Sequence, residues 1–231
     1  GYLALTSFSR ETGAEFERTM TALLELGLEG LIIDLRGNPG GVLTAAVEIA
    51  EYFISEGVIT KTRGRGASIV YEKTNEGGAS APSMPLTLLV DGGSASASEV
   101  LAGALQDHRT AVLIGSPTYG KARVQSVHHF EEAQAIVKVT SSYYTTPSGR
   151  NLDRSPERPW GIKPDLIVEV DAQTEALIHR HIRRYDPPET AIKALFAWEA
   201  ATGTSLLPTD PEDPQLEAAL ALLRGERPAG S

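Results

Sequence analysis

Short apolar runs alternate with amphipathic stretches along the first half of the chain. Branched apolar residues fill "GLIIDLR" at 30–36, "LTLLV" at 86–90 and "TAVLIG" at 110–115, and such runs are typical of buried strands. In the neighbouring stretches apolar residues recur every three or four positions. That spacing predicts three helices: 11–27, 43–54 and 96–107. Strands that alternate with helices indicate an α/β fold with a mostly parallel central sheet flanked by helices.

Shorter patterns complete the prediction on both sides of this region. Alternating or apolar runs predict further strands at 2–8, 58–61, 68–73, 124–129, 135–142 and 166–170. Helical spacing broken by prolines predicts three late helices: 172–184, 188–200 and 213–224. Residues 62–68 are predicted to form a turn, and residues 74–85, rich in Gly, Ser and Pro, a mobile loop. We divide the chain into a core, 1–170, and a C-terminal helical segment, 171–231, that packs on the core or mediates dimerisation.

Composition restricts the classes of function. The 231 residues are 41% hydrophobic and 22% charged, which suffices for an ordinary folded core. The formal net charge of -9 argues against nucleic acid and anionic membrane surfaces as partners. The absence of cysteine excludes thiol catalysis, disulfides and cysteine-ligated zinc. The sequence contains neither a signal peptide nor a run of about 20 apolar residues, and a strand is predicted from the first residues, so a targeting segment could have preceded them.

Three loops are predicted to meet at one edge of the parallel sheet. They are "RGNPGG" at 36–41, "GGSASASE" at 92–99 and "SPTYGK" at 116–121. A helix over 96–107 carries the chain away from this edge by about 16 Å, and the strand at 110–115 returns it by about 20 Å. Ligand sites of open α/β sheets lie at the carboxyl edge of the strands. The chemistry of this chain is therefore expected where these loops converge.

This geometry selects among the possible partners of a serine nucleophile. Asp107 and His108 lie at the far end of the helix from the serines, about 16–18 Å away, which argues against a Ser-His-Asp triad. Lys121 returns to the serine edge, and a lysine held neutral by burial can activate a serine. Gln125 lies four residues further on, on the same face of an extended segment, where it could orient the lysine amine.

The start of the same helix offers an oxyanion hole but also a competing interpretation. The Ala97 N–H is free in the first helical turn, and Gly40 or Gly41 could supply a second donor. However, "Ser96-Ala-Ser-Glu99" also matches a capping box, in which Ser96 only caps the helix. Spacing alone leaves both roles open, and the glycines could equally serve only the backbone of a strand-to-helix turn.

Taken together, the motifs resemble those of the carboxy-terminal processing proteases, the serine peptidases of the tail-specific protease family. The matching segments run from residue 1 to about 224: "GYLALTSF", "GLIIDLRGNPGG", "LLVDGGSASASEVLAGALQDH", "AVLIGSPTYGKARVQS", "YYTTPSGRNLD", "GIKPDLIVEV" and "DPQLEAALALL". The resemblance implies a ClpP/crotonase-like α/β core. It also implies that Ser96 is the nucleophile, Lys121 the general base and Gln125 the third member of the site. The implied oxyanion hole is the Ala97 N–H with a glycine of "NPGG", Gly40 or Gly41.

Two departures from the family pattern bear on this expectation. The family usually has "GKG" where this chain has Gly120-Lys121-Ala122. If the third position required a positive φ, Ala122 would be strained by roughly 1 kcal/mol or more. Family members also usually carry a PDZ domain before the first strand, and this chain begins at that strand.

The resemblance implies a serine endopeptidase that cleaves proteins near their C-termini without a metal or other cofactor. Its expected partners are proteins or peptides with exposed C-termini and a homodimeric or regulatory partner, but no nucleic acid. Its expected location is the periplasm or another extracytoplasmic compartment. Two alternatives stay open. One is a non-catalytic ligand- or peptide-binding module of the same fold, as in the retinoid-binding repeats of the photoreceptor matrix. The other is a protease that is inactive without its PDZ domain.

Overall fold

The computed structural model describes residues 1–64, 69–75, 79–130, 134–183, 189–203 and 211–226. Its elements in chain order are β1 (Tyr2–Ala4), α1 (Thr12–Glu25), β2 (Leu31–Asp34), α2 (Leu43–Phe53), β3 (Gly57–Gly64), β4 (Ile69–Asn75), β5 (Leu86–Val90), α3 (Ala97–Asp107), β6 (Val112–Gly115), β7 (Arg123–Phe130), β8 (Ala135–Thr145), β9 (Leu166–Ile167), α4 (Ala172–Ile182), α5 (Glu189–Thr202) and α6 (Pro214–Leu223).

Five of the strands form one parallel sheet in the order β1-β2-β5-β6-β9. The register places Ile33 beside Leu88, and Leu88 beside Leu113. The expected α/β architecture with a mostly parallel central sheet is therefore confirmed. Two outer strands are shorter than predicted: β1 ends at Ala4, and β9 contains only Leu166–Ile167.

Helices cover both faces of this sheet. Ile33, Leu88 and Leu113 are fully buried on the face that packs against α1, α2 and α3. Their neighbours along each strand point the other way, as the two-residue period of a strand requires. Those neighbours, Ile32, Leu89 and Ile114, pack against Ala218 and Ala219 of α6. The uniformly apolar strands thus reflect burial of the sheet on both faces. Burial of each large aliphatic side chain stabilises the folded chain by about 1.5–3 kcal/mol.

The C-terminal segment packs on the core through α6. Arg36, just after β2, is buried and forms ion pairs with Asp34 at 2.6 Å and with Asp213, the N-cap of α6, at 2.7 Å. Its guanidinium also donates to Gln215 Oε1 at 3.1 Å. Helix α6 is therefore bound to the end of a central strand as well as to the sheet face. None of the helices in the described part of the chain is long and apolar enough to cross a membrane.

The remaining strands form an antiparallel sheet in the order β4-β3-β8-β7. Strand β7 lies at its edge and begins two residues after Lys121. The predicted turn at 62–68 falls largely on residues 65–68, outside the described residues. The predicted loop at 74–85 begins inside β4 and includes residues 76–78, which also lie outside them.

Candidate active site

Ser96 occupies a strained position between β5 and α3. Strand β5 ends at Val90, α3 begins at Ala97, and Ser96 between them has φ 60° and ψ -115°. A side chain in this region of backbone space costs on the order of 1–3 kcal/mol, and such strain concentrates at functional sites. A strand-to-helix turn with a strained serine at its tip is also the arrangement that exposes a nucleophile in hydrolases of other folds.

The Ser96 hydroxyl does not cap its own helix. Its oxygen accepts no capping hydrogen bond, and the Glu99 N–H donates instead to the Ser96 carbonyl at 2.9 Å. The two residues are nevertheless placed as in a capping box, since the Ser96 N–H donates to Glu99 Oε2 at 2.9 Å. A capping box is thus present at Ser96, and the role of Ser96 as a nucleophile stays a prediction. Glu99 satisfies the backbone, and the serine hydroxyl is left for other contacts.

Glu99 ties the serine loop to the lysine loop. Its carboxylate is fully buried and accepts, besides Ser96 N–H, the Thr118 hydroxyl at 2.6 Å, Gly120 N–H at 2.8 Å and Lys121 N–H at 2.8 Å. Buried carboxylates need such donors to offset the loss of hydration. Sequence reasoning assigned Glu99 only to the capping box. Its bonds to residues some twenty positions away leave no periodic signal in the sequence.

Tyr144, on β8, makes a second link between the two loops. Its hydroxyl interacts with the Ser96 side chain and donates to the Lys121 carbonyl. Burial, followed by the nearby Glu99 charge, raises the pKa of Tyr144, so its hydroxyl stays protonated and able to donate. The only sequence signal was its place in "YYTTPSGRNLD", and no role was expected for it.

Lys121 and Gln125 reach the same edge by their backbones but are not joined by their side chains. Both side chains are exposed. Among the described residues no hydrogen-bond or ion-pair partner is found for the Lys121 amine. Ala122 is fully buried. The backbone strain considered for it is absent, because Ala122 is not among the described non-glycine residues with positive φ.

The backbone amides at this edge that have no acceptor among the described residues include those of Ala97, at the first position of α3, and of Gly41. The Gly40 N–H is already donated to Asn38 Oδ1 at 2.9 Å. Gly40 instead serves close packing, since a Cβ there would lie 2.9 Å from Ala97 N and 2.6 Å from the Ala95 carbonyl oxygen. Of the two glycines considered as donors, Gly41 is the one whose N–H is available.

Asn38 fixes the glycine loop against the serine loop. Its carbonyl accepts the Ala95 N–H and the Ser98 hydroxyl, each at 3.0 Å. Its side-chain amide donates to the Leu5 carbonyl at 2.6 Å. Ser98 is thus occupied on the structural side of the turn. The asparagine of "RGNPGG" is part of the site's framework, and sequence reasoning did not single it out.

The residues excluded by helix length are placed as expected. His108 Nε2 contacts the Val58 carbonyl at 2.7 Å, and Asp107 forms an ion pair with Arg150 at 2.6 Å. Both lie at the end of α3 opposite Ser96. Their partners are structural, which agrees with the rejection of a Ser-His-Asp triad.

A second polar cluster lies behind the loops, where Asp91, Glu175 and His179 bring ligand-type atoms within 4.8 Å of one another. Asp91 Oδ2 and His179 Nε2 are in direct contact at 2.5 Å, and the Arg36 guanidinium lines the same cavity. A cation between the first two would have to separate them beside an existing positive charge. We therefore interpret this group as an ion-pair cluster rather than a metal centre.

Known proteins are similar to this chain over most of its length. Residues 1–168 match the model of peptidase family S41. A carboxy-terminal-processing protease of Bartonella bacilliformis is 34% identical over 232 residues, which cover 98% of this chain and 52% of that protein. A carboxyl-terminal-processing protease of Synechocystis sp. is 39% identical over 169 residues, covering 73% of this chain and 38% of that protein. The solved structure of a photosystem II D1 C-terminal processing protease matches with a TM-score of 0.66 and 32% identity, over 73% of this chain and 42% of that one.

The chain belongs to peptidase family S41, in the group of carboxy-terminal processing serine proteases. The family expected from the motifs is confirmed. The chain spans about half, or less, of the length of these relatives. The family model ends before α4, so this helix lies beyond the region that the model matches.

Proposed function

We propose that this chain carries the active site of a serine endopeptidase in which Ser96 is the nucleophile and Lys121 the general base. Ser96 Oγ attacks the scissile carbonyl, and its proton passes to the neutral Lys121 amine. The new C–O bond forms a tetrahedral intermediate. When that intermediate collapses, the C–N bond breaks, Lys121 returns the proton to the leaving amine, and water then releases the acyl group from Ser96.

One observation carries this proposal: the backbone of Ser96 and the backbone of Lys121 are bonded to the same oxygen of Glu99, at 2.9 and 2.8 Å. A positioned base must come within hydrogen-bonding reach of its nucleophile, and such contacts often tighten only when substrate binds. Because the two backbones are already joined, a rotation of the exposed Lys121 side chain toward the serine would assemble the pair. We assign Gln125, on the adjacent edge strand, the orientation of that amine.

The oxyanion of the intermediate is assigned to the Ala97 and Gly41 amides. Both are without an acceptor among the described residues, and the start of α3 adds the positive end of a helix dipole. Donors that are fixed before the reaction need no reorganisation as charge develops on the carbonyl oxygen. Loss of one such donor typically lowers the rate by 10²–10³.

The proposal is tested by cleavage of an unstructured polypeptide together with labelling by a serine-directed phosphonate. Ser96→Ala and Lys121→Ala should each abolish both signals while the melting temperature is kept. Ser141→Ala and Lys138→Ala, at exposed positions of β8, are the matched controls and should react like the parent chain. Cleavage or labelling that survives in either site variant would overturn the mechanism.

A binding module without catalysis is the second candidate. One observation favours it: the Lys121 amine has no partner in the described part of the chain, so the site is not joined at the level of side chains. The phosphonate probe separates the two. A chain that stays unlabelled up to pH about 10, where a lysine of even modestly lowered pKa is largely neutral, would identify a binder.

Substrates and location follow from the relatives and the edge strand. Relatives are named for processing of carboxyl termini, and one from Arabidopsis thaliana is named chloroplastic. We assign this chain protein or peptide substrates with exposed C-termini, which would add an extended strand beside β7. We also assign it a location outside the cytoplasm, and a second copy or a regulatory protein as partner. Nucleic acid does not fit the net charge of -9.

A further inference from the structure

Helix α4 lies against the starting points of both active-site loops. We call residues 37–41 the oxyanion loop and residues 91–96 the serine loop. His179 of α4 contacts Asp91, the first residue of the serine loop, at 2.5 Å between Nε2 and Oδ2. Arg183, the C-cap of α4, donates to the Gly37 carbonyl at 2.8 Å. One helix outside the family match therefore touches both loops that the proposed reaction uses.

Asp91 connects His179 to the backbone of both loops, because its carboxylate also accepts backbone N–H groups from each of them. Its side chain is 2% exposed, and its Oδ1 accepts the N–H groups of Gly37 at 2.9 Å, Gly93 at 2.8 Å and Ser94 at 3.1 Å. The first amide belongs to the oxyanion loop and the other two to the serine loop. The remaining oxygen is the one that meets His179. The carboxylate thus joins the two loops on one side and α4 on the other.

The His179 ring also packs directly on the oxyanion loop. Gly37 has φ 64°, and a Cβ there would lie 3.3–3.4 Å from three atoms of the imidazole. The ring therefore lies close enough to the oxyanion loop that any side chain at position 37 would press against it. A displacement of the ring would be transmitted to Gly37, four residues before the Gly41 amide.

We propose that His179 is a positioning residue of the protease, which holds the oxyanion and serine loops in register through Asp91. The inference rests on the proposed function of Ser96. It assigns a part in catalysis to α4, a helix beyond the region that defines the family. Misplacement of a catalytic group by about 1 Å can lower a rate roughly a hundredfold, so a contact of this kind has a measurable effect on kcat.

The charges around His179 give the proposal a pH signature. Facing the ring are Asp91, Glu175 on its own helix and Arg183, while Arg36 and Glu169 line the same cavity. The hydrogen bond to Asp91 raises the pKa of His179, against the opposing effects of burial and Arg183. The ion pair is therefore complete at or below the ordinary histidine pKa of about 6.5 and is lost as pH rises through the higher value in the folded chain.

The experiment compares kcat and KM of the parent chain, His179→Gln and Asp91→Asn across pH 5–10. Loss of the His179 ion pair should bend the kcat profile of the parent chain downward as pH rises through the raised pKa of His179. His179→Gln should lower kcat about tenfold or more near pH 6 with KM little changed, and its profile should lack the downward bend. The Arg180→Gln variant, at an exposed position of α4 itself, is the matched control and should keep the parent profile.

A readout that does not depend on activity comes from the imidazole itself. NMR titration in the inactive Ser96→Ala background should give His179 a raised pKa, which Asp91→Asn returns toward the ordinary value. A parent-like kcat profile in His179→Gln, with Ser96→Ala inactive, would overturn the positioning role and leave the proposed function intact. Activity retained in Ser96→Ala would overturn both. A drop in melting temperature with an unchanged profile would reduce His179 to a purely structural residue and also overturn the inference.

Discussion

Ser96 and Lys121 donate their backbone N–H groups to the same carboxylate oxygen, Oε2 of Glu99. The two residues are 25 positions apart and are expected to act as nucleophile and base. Their relative position is therefore set by a third side chain at the first turn of α3 and not by a direct contact. This arrangement fixes the backbones and leaves the lysine side chain free to approach the serine.

Glu99→Gln should separate the two loops. A carboxylate can accept all four of its hydrogen bonds, but an amide presents an NH₂ group to at least one of the same donors. Each buried donor left without an acceptor costs about 1–3 kcal/mol. We expect a loss of this size in the free energy of unfolding and a drop in kcat of tenfold or more. Glu25→Gln, at an exposed position near the end of α1, should change neither; an active, fully stable Glu99→Gln chain would contradict the positioning role.

Tyr144→Phe should affect activity more than stability. The change removes one hydroxyl that touches the Ser96 side chain and donates to the Lys121 carbonyl, and it leaves the ring in place. We expect a loss of about 1 kcal/mol in unfolding free energy, together with a reduced rate of phosphonate labelling at Ser96. Tyr143→Phe is the matched control, because the neighbouring tyrosine is 41% exposed. Equal labelling rates in the two variants would show that the hydroxyl is dispensable.

Gly40→Ala should be far more damaging than its backbone angle alone predicts. Gly40 has φ 96°, and an added Cβ would lie 2.8 Å from Ser96 Cβ and 2.6 Å from the Ala95 carbonyl oxygen. Gly149 has a similar φ of 87° with no atom within 4 Å of its Cβ position, so Gly149→Ala measures the conformational cost alone. Both variants should lose about 1 kcal/mol for the positive φ. Only Gly40→Ala should lose catalytic activity as well, and similar activities in the two would contradict the close approach of the loops.

Arg36→Met should destabilise the whole fold. Arg36 is buried between Asp34 and Asp213, and its removal leaves the fully buried Asp34 carboxylate without its cation. Removing one partner of a buried ion pair costs about 3–5 kcal/mol. Urea denaturation should show a loss of that size. In the Arg123–Asp153 pair, by contrast, the arginine is exposed, and Arg123→Met should cost far less. Equal losses would mean that α6 is not held through Arg36.

Asp107→Asn should alter the acid stability of the chain. Burial by itself would raise the pKa of Asp107, but hydrogen bonds from Thr146 and Ser148 and the charge of Arg150 hold it below its ordinary value. A carboxylate with a lowered pKa stabilises the folded chain above its unfolded pKa, about 3.9, and the contribution is lost as pH falls through the folded value. The parent chain should therefore be more stable than Asp107→Asn at pH 7, and the difference should shrink below pH about 4. A constant difference from pH 7 to pH 2 would refute this.

Much of the scaffold could be predicted because it depends on periodic patterns. The runs of branched apolar residues in β2, β5 and β6 predict strands that are buried on both faces, and the helical spacing of Phe16 and Met20 predicts α1. Parallel strands bring their carboxyl ends to one edge, which was enough to place Ser96 near Lys121 and to exclude Asp107 and His108. Element ends were predicted less well, as in β9, because hydrogen-bond pairing decides where a strand stops.

The sequence alone determined which residues reach the active-site edge, since helix and strand rise follow from backbone geometry common to all chains. Tertiary structure decided what each residue does there. Glu99 receives the Lys121 amide, the Gly40 amide is taken by Asn38, and His179 meets Asp91. Each of these is a hydrogen bond or ion pair whose partners are brought together by folding and follow no repeat. The choice between cap and nucleophile for Ser96 was open in the sequence for the same reason: only the folded chain shows the Ser96 backbone N–H bonded to Glu99.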